Sequence, residues 1–290
     1  MKLINASRAE TLNEIRNEYT VMPRFMFHQP LDYNKLTLPN PNFGTVNNIN
    51  RKKLYQIPGD DAKFGYSVGD DSFYDKWGDY DFREILKVWD KHRGTSQKQP
   101  KSVLDFGCSS GRVLRHFALN NEKDQDIKLF GCDIQAQAVE SMRYNNWSKD
   151  IKFFTNTTIP HLPLPSNSID LIYSFSVFTH TKYLWDMWLM ELSRVLTANG
   201  LMIHTAHLEN AWAFYYKNQN EDWVQENHTP RVYETPEMDV DYLYFGDAIT
   251  SQVFWKSEVL KEFWGRYVNI LEIKEPPEYS FQNWIIAGKK

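Results

Sequence analysis

Apolar positions follow two regimes along this chain, and the boundary between them lies close to residue 100. Ahead of it, a Ser7–Glu10 pair spaced as a capping box precedes Leu12, Ile15 and Tyr19, which predicts one helix. From Pro23 to Asp71 the periodicity fades into Pro, Asn and Gly, which predicts an irregular arm. Helical spacing returns in YDFREILKVWDKHRG through Phe82, Ile85, Leu86 and Trp89, with Gly94 as its stop. After Lys101, short apolar runs alternate with amphipathic stretches. SVLDF, IKLFGCD, IKFFTN, SIDLIYSFS and LMIHTAH read as five strands. Between them, Val113, Leu114, Phe117 and Ala118 predict a helix, AVESMRYNNW a second, and Trp185, Trp188, Leu189, Leu192 and Leu196 a third that stops at Gly200.

Strand and helix in alternation produce right-handed βαβ units, hence a parallel sheet with helices on both faces. The end departs from that rule. RYVNILEIK and SFQNWIIAG are joined by EPPE with no helix between them, so they pair antiparallel. The expected fold class is therefore α/β, a doubly wound sheet of seven strands with a terminal antiparallel hairpin. The expected division is an N-terminal helix and irregular arm over 1–78 and the sheet domain over 79–290. Within the latter, residues 208–255 break the alternation with an aromatic-rich segment, too long for a plain loop, that reads as a lid or binding wall.

Composition narrows the function. With 290 residues and 42% hydrophobic content the chain can bury a large core. A net charge of -4 leaves no electrostatic footprint for nucleic acid, and the RKK run at Arg51–Lys53 reads as a solvated turn. The polar start MKLINASRAE and the lack of a membrane-length apolar run point to a cytoplasmic protein with no membrane partner. Two cysteines, Cys108 and Cys132, do not make a disulfide scaffold, and Asp239, Asp241 and Asp247 match no metal-loop spacing, so no metal is expected.

The chemistry concentrates where the first strand meets its helix. In SVLDFGCSSGRVLRHF, Gly107 and Gly111 suit positive φ or close approach of a ligand, and the helix start offers backbone amides. A dinucleotide fingerprint would need glycines where Ser109 and Arg112 stand, which disfavours the alternative of an NAD(P)-dependent oxidoreductase. Instead VLDFGCSSGR resembles the first motif of class I S-adenosylmethionine (SAM) methyltransferases. Ser109 replaces a frequent middle glycine there, which a serine tolerates if its φ stays negative. Asp133 ends the second strand, where that family places the carboxylate that takes the ribose hydroxyls. SIDLIYSFSVFTH, LSRVLTANGLMIHTAH and VFWKSEVLKEFWGRYVNILEI also resemble a small-molecule subgroup of the family, some members of which are associated with cell-surface glycan pathways.

The resemblance implies a Rossmann-like fold, SAM as cofactor and S-adenosylhomocysteine as product. Carried onto this chain, it places Asp105, Phe106, Gly107, Cys108 and Gly111 around the methionine part and Asp133 on the ribose. Ile134, Asn156 and Thr157 fall at the adenine, and Ser174 and Phe175 face the sulfonium. Methyl transfer to a hydroxyl also needs a proton acceptor at the strand tips, for which His207, closing the fifth strand, and His180, following the fourth, are the candidates. Trp212, Tyr215, Tyr216 and Trp223 are the candidate stacking surface for a carbohydrate or nucleotide-sugar acceptor. The arm carrying Tyr66, Trp77 and Gly78 is the candidate cover on the other side. A catalytically silent scaffold that binds a partner through the aromatic insert is the non-enzymatic alternative.

Overall fold

The computed structural model describes residues 55–63, 69–121, 127–144, 151–222, 224, 235–246 and 251–290. The expected Ser7–Tyr19 helix, most of the arm including Tyr66, and Trp223 lie outside these residues. The helix α1 runs Asp71–Arg93, capped by Asp70, whose carboxylate accepts the Phe73 amide at 2.9 Å, and it crosses residue 78 without a break. Then follow β1 (Ser102–Phe106), α2 (Leu114–Asn120), β2 (Lys128–Asp133), α3 (Ala136–Tyr144), β3 (Ile151–Thr155), β4 (Ile169–Ser174), α4 (Trp185–Val195) and β5 (Leu196–Ala206). The insert contributes α5 (Glu209–Lys217) and the hairpin β6 (Tyr242–Phe245) with β7 (Gln252–Trp255). Helix α6 (Ser257–Trp264), β8 (Val268–Lys274) and β9 (Asn283–Lys289) complete the described chain.

Seven strands form one sheet in the order β3-β2-β1-β4-β5-β9-β8. β1 to β5 pair in parallel, and β9 inserts antiparallel between β5 and β8. Adjacent buried residues on each central strand point to opposite faces. Val103, Leu171, Ile203 and Ile286 pack with Phe82, Ile85 and Trp89 of α1 and with Leu114 and Phe117 of α2. Leu104, Ile172, Met202 and Ile285 pack with Trp188, Leu189 and Leu192 of α4 and with Leu260 and Trp264 of α6.

The third predicted helix ends earlier than its periodicity suggests. Leu196 takes extended backbone, φ -67 and ψ 137, and pairs with Ile169, so the helix stops at Val195 and Gly200 lies inside β5. Leu196 is fully buried in the sheet, and its apolarity fits either period. Among the described residues, no helix is long and apolar enough to cross a membrane.

Candidate functional site

The carboxyl ends of β1, β2 and β3 lie side by side, and the turn after β1 is tied to its neighbour through the backbone. The amides of Gly107 and Cys108 both donate to the Cys132 carbonyl, at 2.8 and 2.9 Å. Gly107 at φ +83 and Gly111 at φ +78 take the left-handed conformation that their residue type suits, and a Cβ on Gly107 would collide with the Val177 side chain. Ser109 departs from expectation, with φ +45 in place of a negative angle. Its amide explains why. In this conformation it donates to Asp133 Oδ2 at 2.7 Å, while the Gln135 amide donates to Oδ1 at 2.8 Å. The carboxylate is thus fixed at the mouth of β2, with lone pairs left on both oxygens.

Asp133 and Asp105 are both buried. Burial raises the pKa of Asp133 above the ordinary carboxylate value, against the backbone N–H groups of Gln135, Ser109 and Ile134, which lower it. Burial likewise pushes Asp105 up to about 8, opposed by the Tyr173 hydroxyl, which donates to its Oδ2 at 2.9 Å. A nearby cation would return Asp105 to its charged form. Three buried polar atoms around these carboxylates lack a hydrogen-bond partner: Ser109 Oγ, Gln135 Oε1 and Asn156 Oδ1, one from each of the three strand-end segments. Unpaired buried polar atoms carry a free-energy cost unless a ligand meets them. Two carboxylates, for an ammonium and a diol, with open acceptors beside them fit SAM.

The other predicted cofactor residues divide between the mouth and the core. Ile134 and Thr157 are half-buried at the strand ends, whereas Phe106 is buried against Trp188, ring centroids 4.7 Å apart. The Cys108 and Cys132 thiols are unbonded to each other and pushed well above the ordinary thiol range by burial. Ser174 is fully buried with its hydroxyl 2.7 Å from His204 Nδ1. Phe175 is half-buried and packs on Tyr173 and Trp284.

Beyond β4 and β5 the insert is stitched across the strand tips. The Val253 amide donates to the Thr179 carbonyl at 2.9 Å, and the Trp255 amide to the His207 carbonyl at 3.0 Å. His180 stands at this seam, half-buried, with Nδ1 at 2.6 Å from the Ser251 carbonyl. A carbonyl only accepts, so Nδ1 carries the hydrogen and Nε2 keeps its lone pair. Burial lowers the His180 pKa below the usual histidine value, against the Ser251 contact, which raises it. His207 is 1% exposed, ringed by Phe254, Phe281 and Tyr215 at centroid distances of 5.0, 5.5 and 5.7 Å. Trp212 and Tyr215 are buried with Val224, Met238 and Phe254 in the insert's own core, while Tyr216 is half-buried at its edge.

Local sequence patterns do not single out Tyr173, Gln135, Ser251 or Gln282, whose Nε2 donates to Ser176 Oγ at 2.8 Å. The one local cue to Gln135 is its place two residues after Asp133. Ser251 and Gln282 reach the site from segments distant in the chain, without a local signal.

Seven strands in this order, closed by an antiparallel β9, with a glycine turn after β1 and a carboxylate ending β2, define the class I SAM-dependent methyltransferase fold. Residues 104–204 match the family model for a methyltransferase domain. The structure is similar to that of Burkholderia thailandensis 1,6-didemethyltoxoflavin-N1-methyltransferase, solved with S-adenosylhomocysteine, at TM-score 0.51 and 14% identity over 79% of this chain and 86% of that one. A Listeria monocytogenes structure assigned to the SAM-dependent methyltransferases gives TM-score 0.51 and 13% identity over 74% of this chain and 99% of that one. In sequence, the chain is 26% identical over 119 residues to the Drosophila melanogaster tRNA N(3)-methylcytidine methyltransferase Mettl2. That match spans 39% of this chain and only 36% of the curated relative. Residues 104–204 thus match a methyltransferase domain, set on the class I methyltransferase fold, whose cofactor is SAM.

Proposed function

We propose that the chain transfers the SAM methyl group to a hydroxyl or amine of a small molecule, with a carbohydrate or nucleotide sugar as the favoured acceptor class. The observation that carries this reading is the seam at β4 and β5, where the Thr179 and His207 carbonyls bind the β7 backbone and bring aromatic residues across the strand tips. An acceptor beside Phe175 and His180 then meets side chains suited to a compact, ring-bearing molecule. SAM supplies an electrophilic methyl on a sulfonium, so the protein's own work is to hold the reactants in line and, for a hydroxyl, to take its proton.

In this reading Asp105 accepts from the ammonium group, Asp133 from the ribose diol, and Asn156 and Thr157 lie toward the adenine edge. His180 is the proton acceptor, because its Nδ1–H is occupied by Ser251 and its lowered pKa keeps Nε2 unprotonated near neutral pH. His207, packed among rings, shapes the wall.

The Mettl2 similarity favours a second reading, an RNA acceptor, although a net charge of -4 supplies no phosphate-binding field. The test is methyl incorporation from labelled SAM into a fractionated metabolite extract and, in parallel, into total tRNA. Label in a small-molecule fraction supports the proposal. Label in tRNA alone replaces it with the second reading, and label in neither while SAM binds tightly supports the silent scaffold.

A further inference from the structure

The cofactor end and the acceptor end are joined by one buried carboxylate that neither end needs for its own chemistry. Asp81, on α1, is 3% exposed. Its Oδ2 lies 2.6 Å from a guanidinium nitrogen of Arg112, in the cofactor turn. Its Oδ1 accepts the hydroxyl of Tyr279, in the loop between β8 and β9. The Tyr279 ring lies on Trp77 of the same helix, centroids 3.9 Å apart. Three residues further, Gln282 Nε2 reaches Ser176 Oγ at 2.8 Å. Ser176 sits just after β4 with φ +55, and its amide donates to Thr205 Oγ1 at 2.8 Å. A continuous path of polar contacts thus runs from Arg112 through Asp81 to Tyr279, and along the loop to the acceptor side of β4.

Helix α1 is seated on the turn at further points. The Tyr74 hydroxyl lies 3.0 Å from the Ser110 carbonyl, and a Cβ on Gly78 would strike the Arg112 carbonyl. The helix therefore moves with the turn. A buried carboxylate must keep its partners, since leaving either end of such an arrangement uncompensated is strongly destabilising. A shift of Arg112 is consequently passed to Tyr279, because each holds one oxygen of the same small group.

We propose that Asp81 is a positioning residue that couples occupancy of the cofactor turn to the β8–β9 loop, so that cofactor binding orders Tyr279–Gln282 and with it the Ser176 side of the acceptor wall. The proposal rests on the assignment of the β1 turn to SAM. It assigns α1 a role in the order of events: the acceptor side is completed after the cofactor is in place.

The experiment is amide hydrogen exchange on the full chain with and without S-adenosylhomocysteine, alongside calorimetric Kd values, for wild type, Tyr279→Phe and Asp81→Asn. In wild type the product slows exchange both at 107–112 and at 275–282. Tyr279→Phe keeps the ring on Trp77 and removes only the hydroxyl. It should lower the apo melting temperature, since Asp81 loses one partner, while keeping protection at 107–112 and a Kd within about threefold, yet lose most ligand-induced protection at 275–282. Asp81→Asn should lose that protection and also bind about tenfold more weakly, as Arg112 loses its anchor. If Asp81→Asn does not fold, Tyr279→Phe decides alone. Loop protection in Tyr279→Phe equal to wild type overturns the coupling, as does a wild type that binds product without protecting the loop. A wild type that fails to bind product overturns the cofactor assignment instead.

Discussion

The two ends of this site are built by different means. At the cofactor end, Gly107, Asp133 and Asn156 stand at the ends of three adjacent parallel strands, and backbone amides do most of the positioning. At the proposed acceptor end, residues from four distant segments meet: the loop after β4, the tip of β5, β7 and the β8–β9 loop. The first arrangement depends on main-chain conformation, which a few glycines and carboxylates specify. The second depends on side-chain packing, which tolerates many sequences. A shared cofactor with a changeable acceptor calls for this division, in which function varies by altering loops on a constant sheet.

The sharpest way to break the comparison is to injure one end and read the other. His180→Ala should keep SAM affinity within about threefold while lowering kcat on a hydroxyl acceptor by about 10²–10⁴, the range for a positioned proton acceptor. His207→Leu should spare most of the rate and act through stability. Asp133→Ala should do the reverse of His180→Ala, weakening SAM binding by roughly 2–4 kcal/mol, because two charge-assisted hydrogen bonds to the diol are lost. Calorimetry and single-turnover transfer on the same preparations check all three. Equal loss of SAM affinity in the His180 and Asp133 variants would mean that the ends are not separable.

The same division explains what could be read from the sequence. The five parallel strands and the antiparallel pair follow from short apolar runs and from EPPE in place of a helix. Asp105, Gly107, Gly111 and Asp133 stood out because their local spacing is what the turn requires. The positive φ of Ser109 did not, since it is set by a bond to Asp133, which belongs to the next strand. The end of α4 at Val195 was hidden because Leu196 is apolar in either element. In the insert, no local pattern says that Trp212 and Tyr215 turn inward on Phe254, or that Ser251 fixes the tautomer of His180. Such contacts are properties of the assembled chain.

A smaller effect tests the electrostatics of the cofactor end. Burial pushes the Asp105 carboxyl up to about 8 in the folded protein, from an ordinary 3.8. A raised carboxylate binds its proton more tightly when folded, so its contribution to stability is full below about pH 4 and is lost as pH rises through about 8. The apo protein should therefore lose melting temperature between pH 5 and 8.5, and Asp105→Asn should flatten that slope. Bringing an ammonium group to Asp105 favours the ionised form, so SAM binding near pH 7 should release on the order of one proton in wild type and none in Asp105→Asn. Calorimetry in two buffers of different ionisation enthalpy measures the release. Equal proton release by both proteins would move the ammonium away from Asp105.

The smallest expected effect concerns Ser109, where the cofactor end accepts strain. A non-glycine residue in the left-handed region costs about 1–2 kcal/mol, part of which glycine gives back through its greater freedom in the unfolded chain. Its Oγ is also buried with no hydrogen-bond partner. Ser109→Gly should therefore stabilise the apo protein by up to about 1 kcal/mol, a rise of a few degrees in melting temperature for a chain of this size. The amide that holds Asp133 belongs to the main chain and survives the change, so the carboxylate stays in place. What the variant lacks is the hydroxyl, and if the cofactor satisfies Oγ, SAM affinity should fall by about threefold to tenfold, the worth of one ordinary hydrogen bond. Thermal melts and SAM titration of the same variant separate the two terms. A gain in stability with unchanged affinity would show that the strain at Ser109 serves only the placement of Asp133, whereas a loss of both would mean that the serine side chain itself supports the turn.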